Sequence, residues 1–122
     1  MESSMEQNTI RPGEMIEYVF VEGRVSLNTE DIIYIETSKH KNTFYTKEET
    51  YSIYKKLSEI EGELKDFGFV RIHQSFLVNM QYVEKISSYI MTLTTGQELS
   101  VPKARYPQVK KEYQQYLEES MD

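Results

Sequence analysis

The sequence has no cysteine, which excludes disulfides, thiolate zinc sites and thiol nucleophiles and suits a reducing cytoplasm. Only two histidines occur, His40 and His73, and neither stands in an HExxH or other metal-ligand spacing, so no metal site is expected. GxSxG, a glycine-rich phosphate loop and a nucleophile–base pairing are also missing, which argues against an enzyme and leaves no cofactor to expect. No apolar run approaches the ~20 residues of a membrane helix, and the N-terminus lacks a signal-peptide apolar stretch, so no membrane partner is expected. Tryptophan is absent too, whereas tyrosine occurs 10 times. Tyrosine favours strands, and its amphipathic ring also suits recognition surfaces.

What is present fits one domain. The chain has 122 residues and 39% hydrophobic side chains. A chain of this size buries roughly two-thirds of its unfolded surface, enough for a self-sufficient core. The net charge is −6, which alone argues against a nucleic-acid partner. The charge is nevertheless unevenly distributed. Residues 37–47, 70–83 and 99–111 together carry eight of the 14 Lys and Arg residues and none of the 20 Asp and Glu residues. A phosphate backbone meets the local field, so three acid-free basic segments gathered on one side would give an acidic protein a DNA-facing edge.

Along the chain, residues 1–14 are polar, contain a Pro-Gly pair and read as a tail or linker, with the domain over 15–122. Alternation over 16–21 and at Val25 and Leu27 predicts two strands, and 32–36 is an apolar run of strand length. A basic loop over 38–42 leads to strands at 44–46 and 51–54. Leu57, Ile60 and Leu64 at i, i+3, i+7 predict one short helix, weakened by Gly62 and ended by Gly68. Strands are expected again at 69–73, 83–87, 90–94 and 97–101, the last two joined by a Thr95-Gly96 turn. Pro107 opens a final helical pattern with Val109, Tyr113, Tyr116 and Leu117 on one face. The fold class is therefore mostly β and antiparallel, with one short internal helix and a C-terminal helix.

Period-2 geometry places Val70 and Ile72 toward the core and Phe69, Arg71 and His73 on the opposite face. Gln74 and Ser75 follow at the strand end. Arginine holds phosphates or guanine edges, and glutamine can bond adenine bidentately, so Arg71 and Gln74 are read as DNA contacts. His73 is a candidate with a plainer alternative, a bond to backbone. Ser75 and Asn79 are read as structural, the first capping a turn and the second occupying a tight bend. Lys39, His40, Lys41 and Asn42 lie between two strands and should project from the scaffold, either into a groove or simply into solvent. In the third segment Pro102 and Pro107 stiffen the chain around Lys103 and Arg105. The helix that follows has Lys110 and Lys111 early and Glu118, Glu119 and Asp122 late, against the macrodipole preference. Either it frays after Leu117, or its basic start approaches a phosphate.

These residues carry a family resemblance. The run Phe69-Val70-Arg71-Ile72-His73-Gln74-Ser75-Phe76-Leu77-Val78-Asn79 resembles the F-x-R-x-H-x-S-[YF]-x-V-N signature of LytTR-type DNA-binding domains. These are output modules of bacterial response regulators of the LytR/AgrA/AlgR group. Asp31-Ile32-Ile33-Tyr34-Ile35-Glu36 resembles the family's D-I-x-Y-I-E strand, and residues 93–101 resemble its closing hairpin. The similarity covers roughly residues 16–117.

The resemblance implies an elongated stack of small antiparallel sheets. It also implies binding of double-stranded DNA at direct-repeat promoter sites, with loops rather than a recognition helix entering successive major grooves. It places the first loop contact at or beside Asn42, the second at Gln74 and the third at Lys103, with Arg105 nearby. On this reading Asn42, Gln74 and Lys103 read base edges, while Lys39, Lys41, Arg71 and Arg105 anchor phosphates. Two departures stand out: Lys103 occupies a position where arginine is common, and Pro102 one where serine is common. Lysine lacks the bidentate fork of arginine, so the bases read should differ.

A receiver domain, the usual partner, is not found in these residues, which fits either an output domain cut from a larger regulator or a compact stand-alone one. A monomer or weak homodimer that pairs on DNA is expected. The rival reading is a β-rich protein-interaction or ligand-sensing module whose basic loops bind an acidic partner.

Overall fold

The computed structural model describes residues 10–120. Residues 1–9 of the expected tail, and Asp122, lie outside the described residues. The strands run β1 (Met15–Phe20), β2 (Gly23–Asn28), β3 (Ile32–Ser38), β4 (Lys41–Thr46) and β5 (Thr50–Ile53). Helix α1 (Leu57–Leu64) precedes β6 (Phe69–His73), β7 (Phe76–Asn79), β8 (Val83–Ser87), β9 (Ile90–Leu93) and β10 (Glu98–Ser100), and α2 (Tyr106–Ser120) follows. All pairings are antiparallel: a β1-β2 ribbon, a five-stranded sheet ordered β5-β4-β3-β7-β6, and a three-stranded sheet ordered β10-β9-β8. Among these residues no helix is long and apolar enough to cross a membrane.

Side-chain alternation in the five-stranded sheet sorts residues into two cores. Ile35, Leu77 and Phe69 pack on one face with Tyr18, Phe20, Phe44 and the α1 stripe Leu57, Ile60 and Leu64. Their neighbours Tyr34, Val78, Val70 and Ile72 pack on the other with Met91, Leu93, Leu99 and Val109 of α2. The sheet is thus the middle layer of a stack. Each buried Leu, Ile or Phe contributes about 1.5–3 kcal/mol, and both faces draw on the same strands.

Three expectations change. Phe69 does lie opposite Val70, but it is buried, because α1 and the β1-β2 ribbon cover that face. Residues 76–79 form a strand that sequence reading missed, and this strand sits between β3 and β6. The tail expected over 1–14 is anchored from Ile10 onward. The Arg11 amide donates to the Asp66 carbonyl, its guanidinium lies 4.7 Å from the Phe67 ring centre, and the Glu14 amide donates to Thr29 Oγ1.

Gly68 ends the turn after α1 at φ 89°, and a Cβ there would lie 3.2 Å from the Tyr116 ring. Glycine is therefore required both by backbone and by packing. Asn79, as expected, is structural: its Oδ1 accepts from the Gln81 amide, and its Nδ2 donates to the Thr29 and Ile32 carbonyls.

Candidate nucleic-acid interface

The β3–β4 connection is only two residues long. Ser38 pairs with Lys41, leaving Lys39 (φ 51°) and His40 (φ 68°) as the turn. Both central residues at positive φ is the signature of a type I′ turn, which normally demands Asn or Gly. Here the positions are filled by two exposed, potentially cationic side chains. A non-glycine residue in this region costs about 1–2 kcal/mol, so folding alone does not favour these side chains. Lys41, first on β4, is exposed as well.

Asn42 requires a correction. It is 1% exposed, its Oδ1 accepts from Thr37 Oγ1, and its Nδ2 donates to the Lys55 carbonyl. The amide expected to read a base instead ties the β3–β4 hairpin to Lys55, between β5 and α1. Its period-2 position beside the turn put it on the buried face, and the polarity of asparagine disguised that.

The β6–β7 turn is built around Arg71. Its Nε donates to the His73 carbonyl at 2.9 Å, its Nη2 to the Gln74 carbonyl at 2.6 Å and its Nη1 to Glu61 Oε1 of α1 at 2.9 Å. The side chain is 17% exposed. The expected role of Arg71 as a phosphate anchor therefore gives way to a positioning role, because the guanidinium is already committed to the turn. His73 follows the plainer alternative, its Nδ1 accepting from the Ser75 amide at 3.0 Å. Gln74 is left exposed at the turn tip.

The third segment meets β6. Arg105 Nη1 lies 3.5 Å from the Arg71 carbonyl, and Tyr106 packs on Tyr89 with ring centres 4.4 Å apart. Lys103 Nζ stands 5.9 Å from the Tyr89 ring centre. Lys103, Arg105 and the early α2 lysines Lys110 and Lys111 are exposed. Helix α2 continues to Ser120, so it does not fray at Leu117. The Thr37 amide donates to the Ser75 carbonyl at 2.9 Å, joining the first turn to the second. A continuous series of contacts therefore links the turn at Lys39-His40, the turn at Gln74 and the Lys103–Arg105 connection.

That series encloses residues that sequence reading did not single out. One groove is lined by Lys39, His40, Arg71 and Gln74 of the first two turns together with Tyr54, Lys55, Lys56 and Ser58. Among the described residues no Asp or Glu lines it. The signal was the Lys55-Lys56 pair, obscured by the acids at 59, 61 and 63 that follow on α1.

The LytTr DNA-binding domain family model matches residues 22–114. The chain belongs to this family. It is 32% identical over 95 residues to the sensory transduction protein LytT of Bacillus subtilis (strain 168), covering 74% of this chain and 39% of LytT. It is 35% identical over 63 residues to the transcriptional regulatory protein NatR of the same organism, covering 52% of this chain and 27% of NatR. The transcriptional regulatory protein LytR of Staphylococcus aureus (strain N315) is 28% identical over 80 residues, covering 62% of this chain and 32% of LytR. The chain thus spans well under half the length of these relatives. In fold it is similar to the solved LytTr DNA-binding domain of a response regulator from Bacillus cereus, with a TM-score of 0.67 at 20% identity, covering 81% of this chain and 94% of that one. The LytTr architecture thus accounts for the stacked antiparallel sheets.

Proposed function

We propose that this LytTr domain is the sequence-specific DNA-binding part of a transcription regulator, and that its turns enter the major groove at direct-repeat promoter sites. The observation that carries this reading is the connected set of exposed turns bearing Lys39, His40, Lys41, Gln74, Lys103 and Arg105, set against an otherwise acidic chain. In it, Gln74 and Lys103 read base edges while Lys39, Lys41 and Arg105 anchor phosphates. Two domains on adjacent repeats gain affinity through effective concentration, so a monomer or weak dimer that pairs on DNA suffices. A receiver domain as partner, and work in the cytoplasm, belong to the same reading, which is supported by relatives named as sensory transduction and transcriptional regulatory proteins.

The test is a mobility-shift titration on a duplex recovered by selection from a random-sequence pool, with a scrambled duplex as competitor. Preference for the selected duplex is expected, with log K falling against log salt at a slope near −5 if about six phosphates are neutralised. Equal competition by the scrambled duplex would overturn the reading and favour a module that binds an acidic protein partner.

A further inference from the structure

Lys55 and Lys56 are adjacent at the corner between β5 and α1, yet only one of them serves the fold. Lys55 Nζ lies 2.6 Å from Glu63 Oε2 and 5.2 Å from the Tyr18 ring centre. Lys56 is exposed, and among the described residues no carboxylate lies within ion-pair distance of it. It occupies the N-cap of α1 without making a side-chain cap. Ser, Thr, Asp or Asn is favoured at an N-cap, and a cation there opposes the helix dipole. Helix stability therefore does not explain this lysine.

Its position offers another account. Lys56 lines the same groove as Lys39, His40 and Gln74, to which no Asp or Glu among the described residues contributes. Tyr54, 71% exposed, stands beside it with a hydroxyl available to an anionic oxygen. The groove is open and several basic side chains line it, which suits a chain of phosphates better than a single small anion.

We propose that the β5–α1 corner is a fourth DNA-contact element, in which Lys56, assisted by Tyr54, holds one backbone phosphate beside the groove entered by the first two turns. This inference rests on the function proposed above. It adds affinity and register but no base preference, because a phosphate contact carries no sequence information.

The test measures binding of the full chain to the selected duplex across a salt series, for the wild type, Lys56→Ser and Lys56→Gln. Both variants should bind roughly threefold to tenfold more weakly at low salt, with the slope reduced by about one unit and the preference over the scrambled duplex unchanged. Lys56→Ser supplies a capping hydroxyl, so its melting temperature should equal or exceed that of the wild type, separating lost contact from lost fold. A neutral methylphosphonate walked along the backbone should find one position that weakens the wild type and leaves Lys56→Ser unaffected. Wild-type affinity and slope in both variants would overturn the fourth contact while leaving the proposed function standing. A wild type without preference for the selected duplex would overturn both.

Discussion

Arg71 Nη1 lies 2.9 Å from Glu61 Oε1, so the helix α1 holds the arginine that in turn holds the Gln74 turn. This relationship separates geometry from charge. Arg71→Ala removes three donated hydrogen bonds at a largely buried position and should cost about 2–3 kcal/mol in a urea melt. Arg71→Lys keeps the charge but loses the fork, so DNA affinity should fall in both variants while the salt slope stays near that of the wild type. A slope reduced by a full unit in Arg71→Ala alone would return Arg71 to the phosphate anchors.

The strained turn predicts an exchange of stability for binding. Replacing Lys39-His40 by Asn-Gly supplies the residues a type I′ turn prefers. Stability should rise by about 1 kcal/mol or more, as judged by denaturant midpoint, while affinity for the selected duplex falls. Lower stability together with unchanged affinity would contradict the assignment of this turn to DNA.

Gln74 and Lys41 should differ in kind. Gln74→Ala should cost ~1–3 kcal/mol at one base pair and relax preference there, since a bidentate amide contact reads one base. Lys41→Ala should weaken all duplexes alike and flatten the salt slope by about one unit. Uniform weakening by Gln74→Ala would remove it from the base readers.

Asn42 should behave as a core residue. Asn42→Ala leaves the Lys55 carbonyl and the Thr37 hydroxyl without their partner and should cost about 1–3 kcal/mol. Asn42→Asp should be worse, because it loses the donor to Lys55 and places an acidic group at a 1% exposed site. Thermal melts rank the two variants.

Alkaline pH should destabilise the fold. Burial, followed by the hydrogen bond to Glu63 and that residue's charge, raises the Tyr18 hydroxyl well above its ordinary value. Burial likewise raises Tyr113 and Tyr116. For a group raised on folding, the folded state keeps its proton longer, so the stabilisation is complete below the unfolded value near 10 and is lost as pH rises beyond it. Denaturant stability should therefore be flat with respect to these groups below about pH 9 and decline above pH 10. Tyr18→Phe should shallow that decline, and ultraviolet titration should show fewer tyrosines ionising in the folded protein than in urea.

Much of the fold was legible because most strands have one periodic face: Ile16, Tyr18 and Phe20, or Val25 and Leu27, announce themselves by alternation. The strand β7 did not, since Leu77 and Val78 are both fully buried on opposite faces and leave no polar beat between them. The Thr95-Gly96 turn was readable from its glycine. The turns at Lys39-His40 and Ser88-Tyr89 were not recognisable as two-residue turns, because side chains that avoid positive φ occupy them.

For the site, the sequence located the three segments but not the direction of each side chain. Asn42 and Arg71 look like DNA ligands by residue type, and only their partners Thr37, Lys55 and Glu61, distant in sequence or on another element, reveal otherwise. Lys56 was invisible for the converse reason: of the α1 acids that follow it in sequence, Glu61 pairs with Arg71 and Glu63 with Lys55.

The middle sheet also acts as a ruler. The hairpins β3–β4 and β6–β7 lie side by side in it, so their tips are separated by about two strand spacings, roughly 10 Å. That interval is written into the peptide lattice and is indifferent to which side chains the tips carry. On the proposed function, residues at the tips can be exchanged to read a different duplex while the calipers that present them stay at the same opening.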